Sequence, residues 1–427
     1  MAYDATVRLQ AGDVRGALEA ARRAAAGLGL LGRPRARAAA LLNVANYLQQ
    51  VGGVAEAATA AAEAAAVAAP FGGRLAAYAA HVRGVVAIEA GRAGEAVALF
   101  RDCLAKWAAL GLPEKEPEAR RLLASALLLA ADPAGAICEA EAALAGARTL
   151  RVARLETLCW TTLALAYGEA GRPEDAAAAA EGGCGAADGV DPRTAGPLWA
   201  LRGALAAGAG QHATARTCRA AAEGCAQKAG DETTRWVLRL YAAVGASEPP
   251  GPRRRGSRSA APARARAVAN GAVRRLLVDA LGQTAGPAFE VRMAARALLR
   301  LLEPPARRAV LAEAHDPAGR ALLVDARGGW FRPPRDRWRG LERRPQLRRV
   351  LVCLAAARLE TPGVALAQDA ILERAWPGER VLPLAARARV HKMLSLLRRA
   401  GLGGLMLTVE RGWLLDPAVP LIHLDTL

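Results

Sequence analysis

Aromatic side chains are scarce in this 427-residue sequence, at 4% of the total. That shortage, with abundant alanine, disfavours a β-sandwich and favours closely packed helices. Histidine occurs five times, at 81, 212, 315, 391 and 423, without the HExxH spacing that turns two imidazoles toward one zinc ion. The seven cysteines (103, 138, 159, 184, 218, 225 and 353) include no CxxC pair. A disulfide framework and a zinc site are therefore excluded, and the cysteines in helical stretches read as small apolar filler in a reducing compartment. Neither GxxxxGK[ST] nor GxSxG is present. The glycine-rich "GLGLLG" at 27–32 follows a helical stretch rather than a strand, and reads as the end of a helical hairpin. Glu114, Glu116 and Glu118 flank prolines in a loop and make a poor metal site. No catalytic constellation, metal or cofactor is expected, and the chain reads as a non-enzyme.

No apolar run reaches the length of a membrane span; "LLASALLLAA" at 122–131 has about half of what is needed. The first residues, "MAYDATVRLQAGD", lack the apolar stretch of a signal peptide. The expectation is a soluble cytoplasmic protein without a membrane partner.

Charge is unevenly placed. The chain carries +18, with 58 basic and 40 acidic residues. Residues 1–245 hold 26 basic and 24 acidic side chains, whereas residues 246–427 hold 32 and 16. Nearly all the excess sits in the C-terminal part, which points there to a polyanionic partner, a nucleic acid or an anionic surface. Only four of the 58 basic residues are lysine, so a general preference for arginine is the competing explanation.

A repeat of about forty residues organises the first part. Gly12, Gly52, Gly91, Ala131, Gly171 and Gly210 follow one another at steps of 40, 39, 40, 40 and 39. Five residues after each stands an alanine: Ala17, Ala57, Ala96, Ala136, Ala176 and Ala215. Seven residues before each stands a second small residue: Ala5, Ala45, Gly84, Ala124, Ala164 and Gly203. A glycine that tolerates positive φ ends one helix and turns the chain, and small residues mark where two helices cross closely. Leu42, Tyr47, Val97, Phe100, Leu163 and Tyr167 fill the space between at helical spacing. The pattern, as in "GVVAIEAGRAGEAVALF" (84–100) and "ALAYGEAGRPEDAAAAA" (164–180), resembles the tetratricopeptide repeat. The resemblance covers residues 1 to about 230. That repeat has a period of 34, so these helices should be longer by five or six residues; helical repeats of other families stay open on period alone. Residues 231–245 read as a capping helix after six hairpins, and only about ten residues precede Gly12 as a first helix.

Residues 246–267, "ASEPPGPRRRGSRSAAPARARA", read as a basic linker whose "RRRGSR" either touches phosphate or is a solvated tether. Residues 268–316 read as a connector of two or three helices (around 268–282, 286–302 and 304–314) that pack on the next module or pair with a second chain in a homodimer.

From 317 to 427 the pattern changes. "ALLVDARGGWFRPP" (321–334) suggests two strands about a glycine turn and "RWRGLERR" (337–344) a third. Helices are expected over 345–363, 366–378 and 384–402, then a hairpin of "LMLTV" and "WLLD" joined through Glu410, Arg411 and Gly412. The order, with "ERAWPG", "SLLRR" and "LTVERGWLL", resembles the winged helix-turn-helix domain of the OmpR/PhoB class over residues 320–420, with Trp413 in the place of a tyrosine. The resemblance implies a recognition helix for duplex DNA, with Arg387, His391 and Ser395 toward base edges. Arg398, Arg399 and the wing residue Arg411 would face phosphates, and Arg389 and Lys392 complete the basic face. A solvated basic helix is the plainer alternative. Leu396 departs from the polar residue common in that family, and the chain has no receiver domain ahead of the module.

The fold expected is thus mostly α: an N-terminal α-solenoid of helical hairpins and a C-terminal winged-helix (α+β) domain. The function expected is that of a transcriptional regulator, with duplex DNA as one partner and a protein or peptide on the repeats as the other. The alternatives are a protein–protein scaffold without DNA binding, and a fragment of a larger signalling protein.

Overall fold

The computed structural model describes residues 7–8, 13–230, 232–246, 261–282, 289–300, 302, 304–379 and 383–424. The chain divides into two compact units, Met1–Leu301 and Leu302–Leu427.

The first unit is helical throughout its described residues. Its helices are α1 (Val14–Leu30), α2 (Pro34–Gln50), α3 (Val54–Ala68), α4 (Gly73–Glu89), α5 (Ala93–Ala109), α6 (Glu116–Leu129) and α7 (Pro133–Leu150). They continue as α8 (Ala153–Glu169), α9 (Pro173–Ala186), α10 (Pro192–Gly208), α11 (His212–Ala229), α12 (Glu232–Ala246), α13 (Ala261–Leu281) and α14 (Phe289–Arg300). Each repeat marker among the described residues is the left-handed residue of a helix-ending turn: φ is 81° at Gly52, 71° at Gly91, 58° at Ala131, 72° at Gly171 and 73° at Gly210. The following residue donates its N–H to the carbonyl five positions back in every case, from Gly53 to Leu48, Arg92 to Ala87, Asp132 to Leu127, Arg172 to Tyr167 and Gln211 to Ala206, at 2.8–2.9 Å. The marker residue itself donates to the carbonyl three positions back, as Gly91 does to Ile88 and Ala131 to Leu128, and the pair of bonds satisfies carbonyls that a helix end would otherwise leave open. Gly12 and Ala5 lie outside the described residues, as does most of the first helix expected before Gly12.

Ala17, Ala57, Ala96, Ala136 and Ala176 are fully buried where the two helices of a hairpin cross. Ala215 is only half-buried, beside a gap that it lines with Leu238 and Tyr241 of α12. The second small position is just as tight: a Cβ on Gly84 would stand 2.7 Å from the Phe100 ring. The first helices of successive hairpins, α2, α4, α6, α8 and α10, touch one another in sequence, and α12 extends their row by packing on α10. They form one continuous face of the solenoid.

Three sequence expectations are corrected here. A helix begins at Ala261, inside the stretch read as linker, because "AAPARARAVANGAVRRLLVDAL" becomes helix-forming once the prolines thin out; the "RRRGSR" run lies outside the described residues. The helices α13 and α14 belong to the repeat unit, packing on α12 and on each other, rather than to a separate connector. Third, the segment Val54–Phe71 is long and apolar enough by composition to cross a membrane, with a mean hydropathy of 1.2. Its alanines Ala57, Ala60, Ala61, Ala64 and Ala68 are instead buried as one face of α3, which pairs with α2.

The second unit opens with α15 (Pro304–His315), followed by β1 (Leu322–Asp325), β2 (Trp330–Arg332) and β3 (Arg339–Gly340). Next come α16 (Pro345–Glu360), α17 (Gln368–Ala375), α18 (Pro383–Leu397), β4 (Met406–Val409), β5 (Gly412–Leu415) and β6 (Leu421–Leu424). The sheet order is β3-β2-β1-β6, with β1 antiparallel to β2 and parallel to β6, and β4 and β5 form a separate hairpin. The strand β6 was not expected from the sequence. Its four residues pair about a hundred positions away, Leu322 with Leu421 and Asp325 with Leu424, and no local pattern announces such a partner. Leu347, Val350, Leu351 and Leu354 of α16 pack with Ile371, Trp376, Val390, Leu394, Leu397 and Trp413 in one core.

Candidate functional site

Two surfaces carry arranged polar groups. The first lies on α18 and the β4–β5 hairpin. The apolar stripe of α18, Val390, Met393, Leu394 and Leu397, is buried. Arg387, His391 and Ser395 follow at intervals of four and stand exposed on one side, and Lys392 and Arg399 are exposed beside them. Leu396 is half-buried against the core, so the apolar departure does not interrupt that side. His391 packs edge-to-face on Trp413 of β5, with ring centroids 5.0 Å apart. Arg398 is half-buried and donates to the Thr408 hydroxyl on β4 at 2.5 Å, which ties helix to hairpin. Arg411 is exposed at the hairpin tip.

Arg389 is the correction within this set. It is half-buried, its guanidinium lies 4.2 Å from the centre of the Trp376 ring, and it pairs with Glu379 at 2.6 Å. The side chain holds α18 against the end of α17 and is not turned outward with its neighbours. Gly412 explains the "ERGW" turn: φ is 140° there, and a Cβ would fall 1.9 Å from the Leu366 carbonyl oxygen. That carbonyl accepts from Trp413 N–H at 3.1 Å, so hairpin and loop are stitched together at a point with no room for a side chain.

The second surface, which the sequence reading missed, is on the row of first helices. There α14 lies across their C-terminal ends. The Arg292 guanidinium donates to the Glu89 carbonyl at 3.0 Å and to the Ile88 carbonyl, both at the end of α4. The Arg296 guanidinium donates to the Leu128 carbonyl at the end of α6 at 3.1 Å and pairs with the Glu169 carboxylate at the end of α8 at 3.0 Å. Ile88 and Leu128 stand three residues before the turn residues Gly91 and Ala131, so two arginines one helical turn apart make the same contact in two successive repeats. Glu89 and Glu169 likewise occupy one position, two residues before Gly91 and Gly171. Helix C-termini carry partial negative charge, so three of them with two carboxylates make an anionic track. Around it Phe289, Val291, Met293, Ala294, Ala295, Leu298 and Leu299 of α14 are all buried.

The electrostatics of this surface are strained. Burial, and then the neighbouring Glu290 carboxylate, push the Glu89 carboxyl up to about 7. Arg292 and the Phe289 N–H, which donates to Glu89 at 3.3 Å, work in the other direction. Burial and then the Glu169 carboxylate raise the Tyr241 hydroxyl of α12. Glu290 also faces Arg121 of α6, whose other partner is Glu118 at 2.8 Å. Glu116 and Glu118 are thus engaged by Arg120 and Arg121, and among the described residues no cluster of three metal-ligating side chains occurs. All seven cysteines are free, with Cys103, Cys159, Cys184, Cys218 and Cys353 buried and Cys138 exposed.

The signal that could have found the second surface was present: glutamate at the same phase in alternate repeats, and a later, largely apolar helix with arginines at intervals of four (Arg292, Arg296 and Arg300).

No protein-family model matches the sequence, and none of the curated proteins does. Solved structures with a similar chain course include BtubC from P. vanneervenii, 18% identical over 56% of this chain and 95% of that one, with a TM-score of 0.40. A Podospora anserina kinesin light chain structure of TPR-like repeats is 20% identical over 43% of this chain and 91% of that one, with a TM-score of 0.37. A Rap protein complexed with competence and sporulation factor is 12% identical over 66% of this chain and 77% of that one, with a TM-score of 0.46. The hairpin geometry above, not these likenesses, is what defines a tetratricopeptide-like array here.

Proposed function

We propose that this chain is a protein-interaction protein whose tetratricopeptide-like array binds a helical segment of a protein partner on the row of first helices. One observation supports it above the others: the C-terminal ends of α4, α6 and α8, with Glu89 and Glu169, already hold a helix through side-chain contacts repeated at the period of the array. A solenoid offers an extended face for this purpose, and repeated carbonyls give it register. Seven free cysteines fit a reducing compartment, in keeping with a place in the cytoplasm. The test is selection of helical peptides from a displayed library on the immobilised full chain. Enriched peptides should lose binding when Glu89 and Glu169 are both changed to glutamine. A library that yields no ligand, or only ligands indifferent to those two changes, overturns the reading.

A second reading concerns the C-terminal unit: a winged helix that binds duplex DNA. It is favoured by Arg387, His391, Ser395 and Lys392 exposed together on α18, with Arg399 exposed just past its end, beside a hairpin tipped by Arg411. A helix of that kind fits the major groove while a hairpin reaches phosphate. Binding to a random duplex, titrated with salt, should then show a clearly negative log–log slope; a slope near zero removes phosphate contact and leaves an interaction module.

A further inference from the structure

The helix α14 is not one of the repeats. It carries none of their markers, yet it is buried on nearly every side, as the core helix of a larger protein would be. Its polar contacts are of an unusual kind for a permanent core. A guanidinium on a carbonyl and a buried Arg296–Glu169 pair, with side chains 7% and 9% exposed, add little net stability, because desolvation offsets most of the attraction. What such contacts supply is register and discrimination between partners. The docking also sets Glu290 of α14 against Glu89 of α4, a like-charge pair that a helix selected only for tight packing would lack.

These features are those of a ligand seated in a site. We propose that the track formed by the ends of α4, α6 and α8 is a binding site for an amphipathic helix bearing two arginines one turn apart, and that α14 is its resident occupant. A partner protein presenting such a helix binds by taking the place of α14. This rests on the reading of the array as a protein-binding face, and adds both the chemistry of the partner and the element that competes with it. The two arginines are the selective feature: Arg292 takes the carbonyls of Ile88 and Glu89, and Arg296 takes the carbonyl of Leu128 together with the carboxylate of Glu169. Apolar residues equivalent to Met293, Leu298 and Leu299 fill the remaining contact. A resident helix lowers the affinity for any competitor by the fraction of time that the site is open.

The experiment uses the full chain and a fluorescein-labelled synthetic peptide of residues 286–301. In the full chain carrying Arg292→Ala and Arg296→Ala, the hold of α14 is weakened, and the peptide should bind saturably in fluorescence anisotropy. The unaltered chain should bind it at least about tenfold more weakly, as competition by an internal helix requires. The same peptide with Arg292 and Arg296 replaced by alanine should fail to bind the variant. Equal affinity for variant and unaltered chain, no binding to the variant at 100-fold excess, or equally tight binding of the peptide lacking Arg292 and Arg296 each overturns the proposal. A second chain donating its own α14 would show as a dimer in sedimentation of the variant without peptide, and would overturn the claim of an internal occupant. If the variant does not fold, hydrogen exchange on the unaltered chain decides. Amides of α14 should exchange through an opening that leaves α8 protected, and exchange of α14 only with global unfolding overturns the proposal. Should the peptide fail while the library selection above succeeds, the array remains a protein-binding face and only the identity of its occupant falls.

Discussion

Ala131 holds a backbone conformation that its four described counterparts assign to glycine, with φ at 58°. The left-handed region costs an L-residue about 1–2 kcal/mol, part of which glycine returns through its larger unfolded-state entropy. Ala131→Gly should therefore stabilise the array by about 0.5–1 kcal/mol in a urea titration, one of few glycine substitutions in a helical protein expected to do so. The reverse change at Gly84 should cost about 1–3 kcal/mol, because its new methyl meets the buried Phe100 ring at 2.7 Å. Thiol labelling offers a third residue-scale check. Exposed Cys138 should react first with a maleimide at neutral pH, while Cys159, pushed up to about 12 mainly by burial, stays unlabelled until the fold opens. Smallness at these positions was legible in the sequence, since a repeated gap in side-chain volume leaves a periodic trace. The fate of Arg389 was not, because a charge on a helix face says nothing of the Trp376 ring and Glu379 carboxylate that folding brings beneath it.

At the scale of elements, the same limit separates what could be read from what could not. The helices of the array and the antiparallel strands β1 and β2 declare themselves through local periodicity and turns. The strand β6 does not, and although a helix was expected where α14 lies, its docking on the array was not legible, because what defines each is a partner far along the chain, Leu322 with Leu421 in one case and Arg296 with Leu128 in the other. These long-range contacts set the energetic order of the ion pairs. Arg296→Ala removes the cation from a buried pair and should cost about 3 kcal/mol or more, whereas Arg22→Ala breaks an exposed pair with Glu56, of side chains 50% and 69% exposed, and should cost less than about 1 kcal/mol. Equal costs in parallel denaturation curves would show that α14 contributes nothing to the array. On α18, Arg389→Ala should lower the stability of the second unit through loss of the Trp376 stack, while Arg387→Ala, at an exposed position, should leave stability unchanged and affect only binding.

For the molecule as a whole, the sequence showed where net charge accumulates, but not that a nearly neutral repeat region holds a concentrated anionic track. Composition averages over a surface that folding sorts, and carbonyl dipoles at helix ends never enter a count of charged residues. The Glu89 carboxyl turns that track into a measurable proton linkage. Its folded value near 7 lies above the ordinary 4.5, so the folded protein binds a proton there that the unfolded chain releases between those pH values. A group raised in this way contributes stability that is fully present below about 4.5 and is lost as pH rises through 7. The groups around it divide: burial and Glu290 favour the proton and prevail over Arg292 and the Phe289 N–H, which oppose it. The interval corresponds to a contribution on the order of 3 kcal/mol, less where water reaches the half-buried carboxyl. Melting of the full chain should accordingly show an array transition that falls in temperature as pH rises from about 4.5 to about 7. Glu89→Gln isolates the linkage: it should flatten that fall and leave the array more stable than the unaltered chain at pH 8, with little difference at pH 5. A variant whose transition still falls by the same amount would place the proton elsewhere, and would mean that docking of α14 leaves the Glu89 carboxyl ionised.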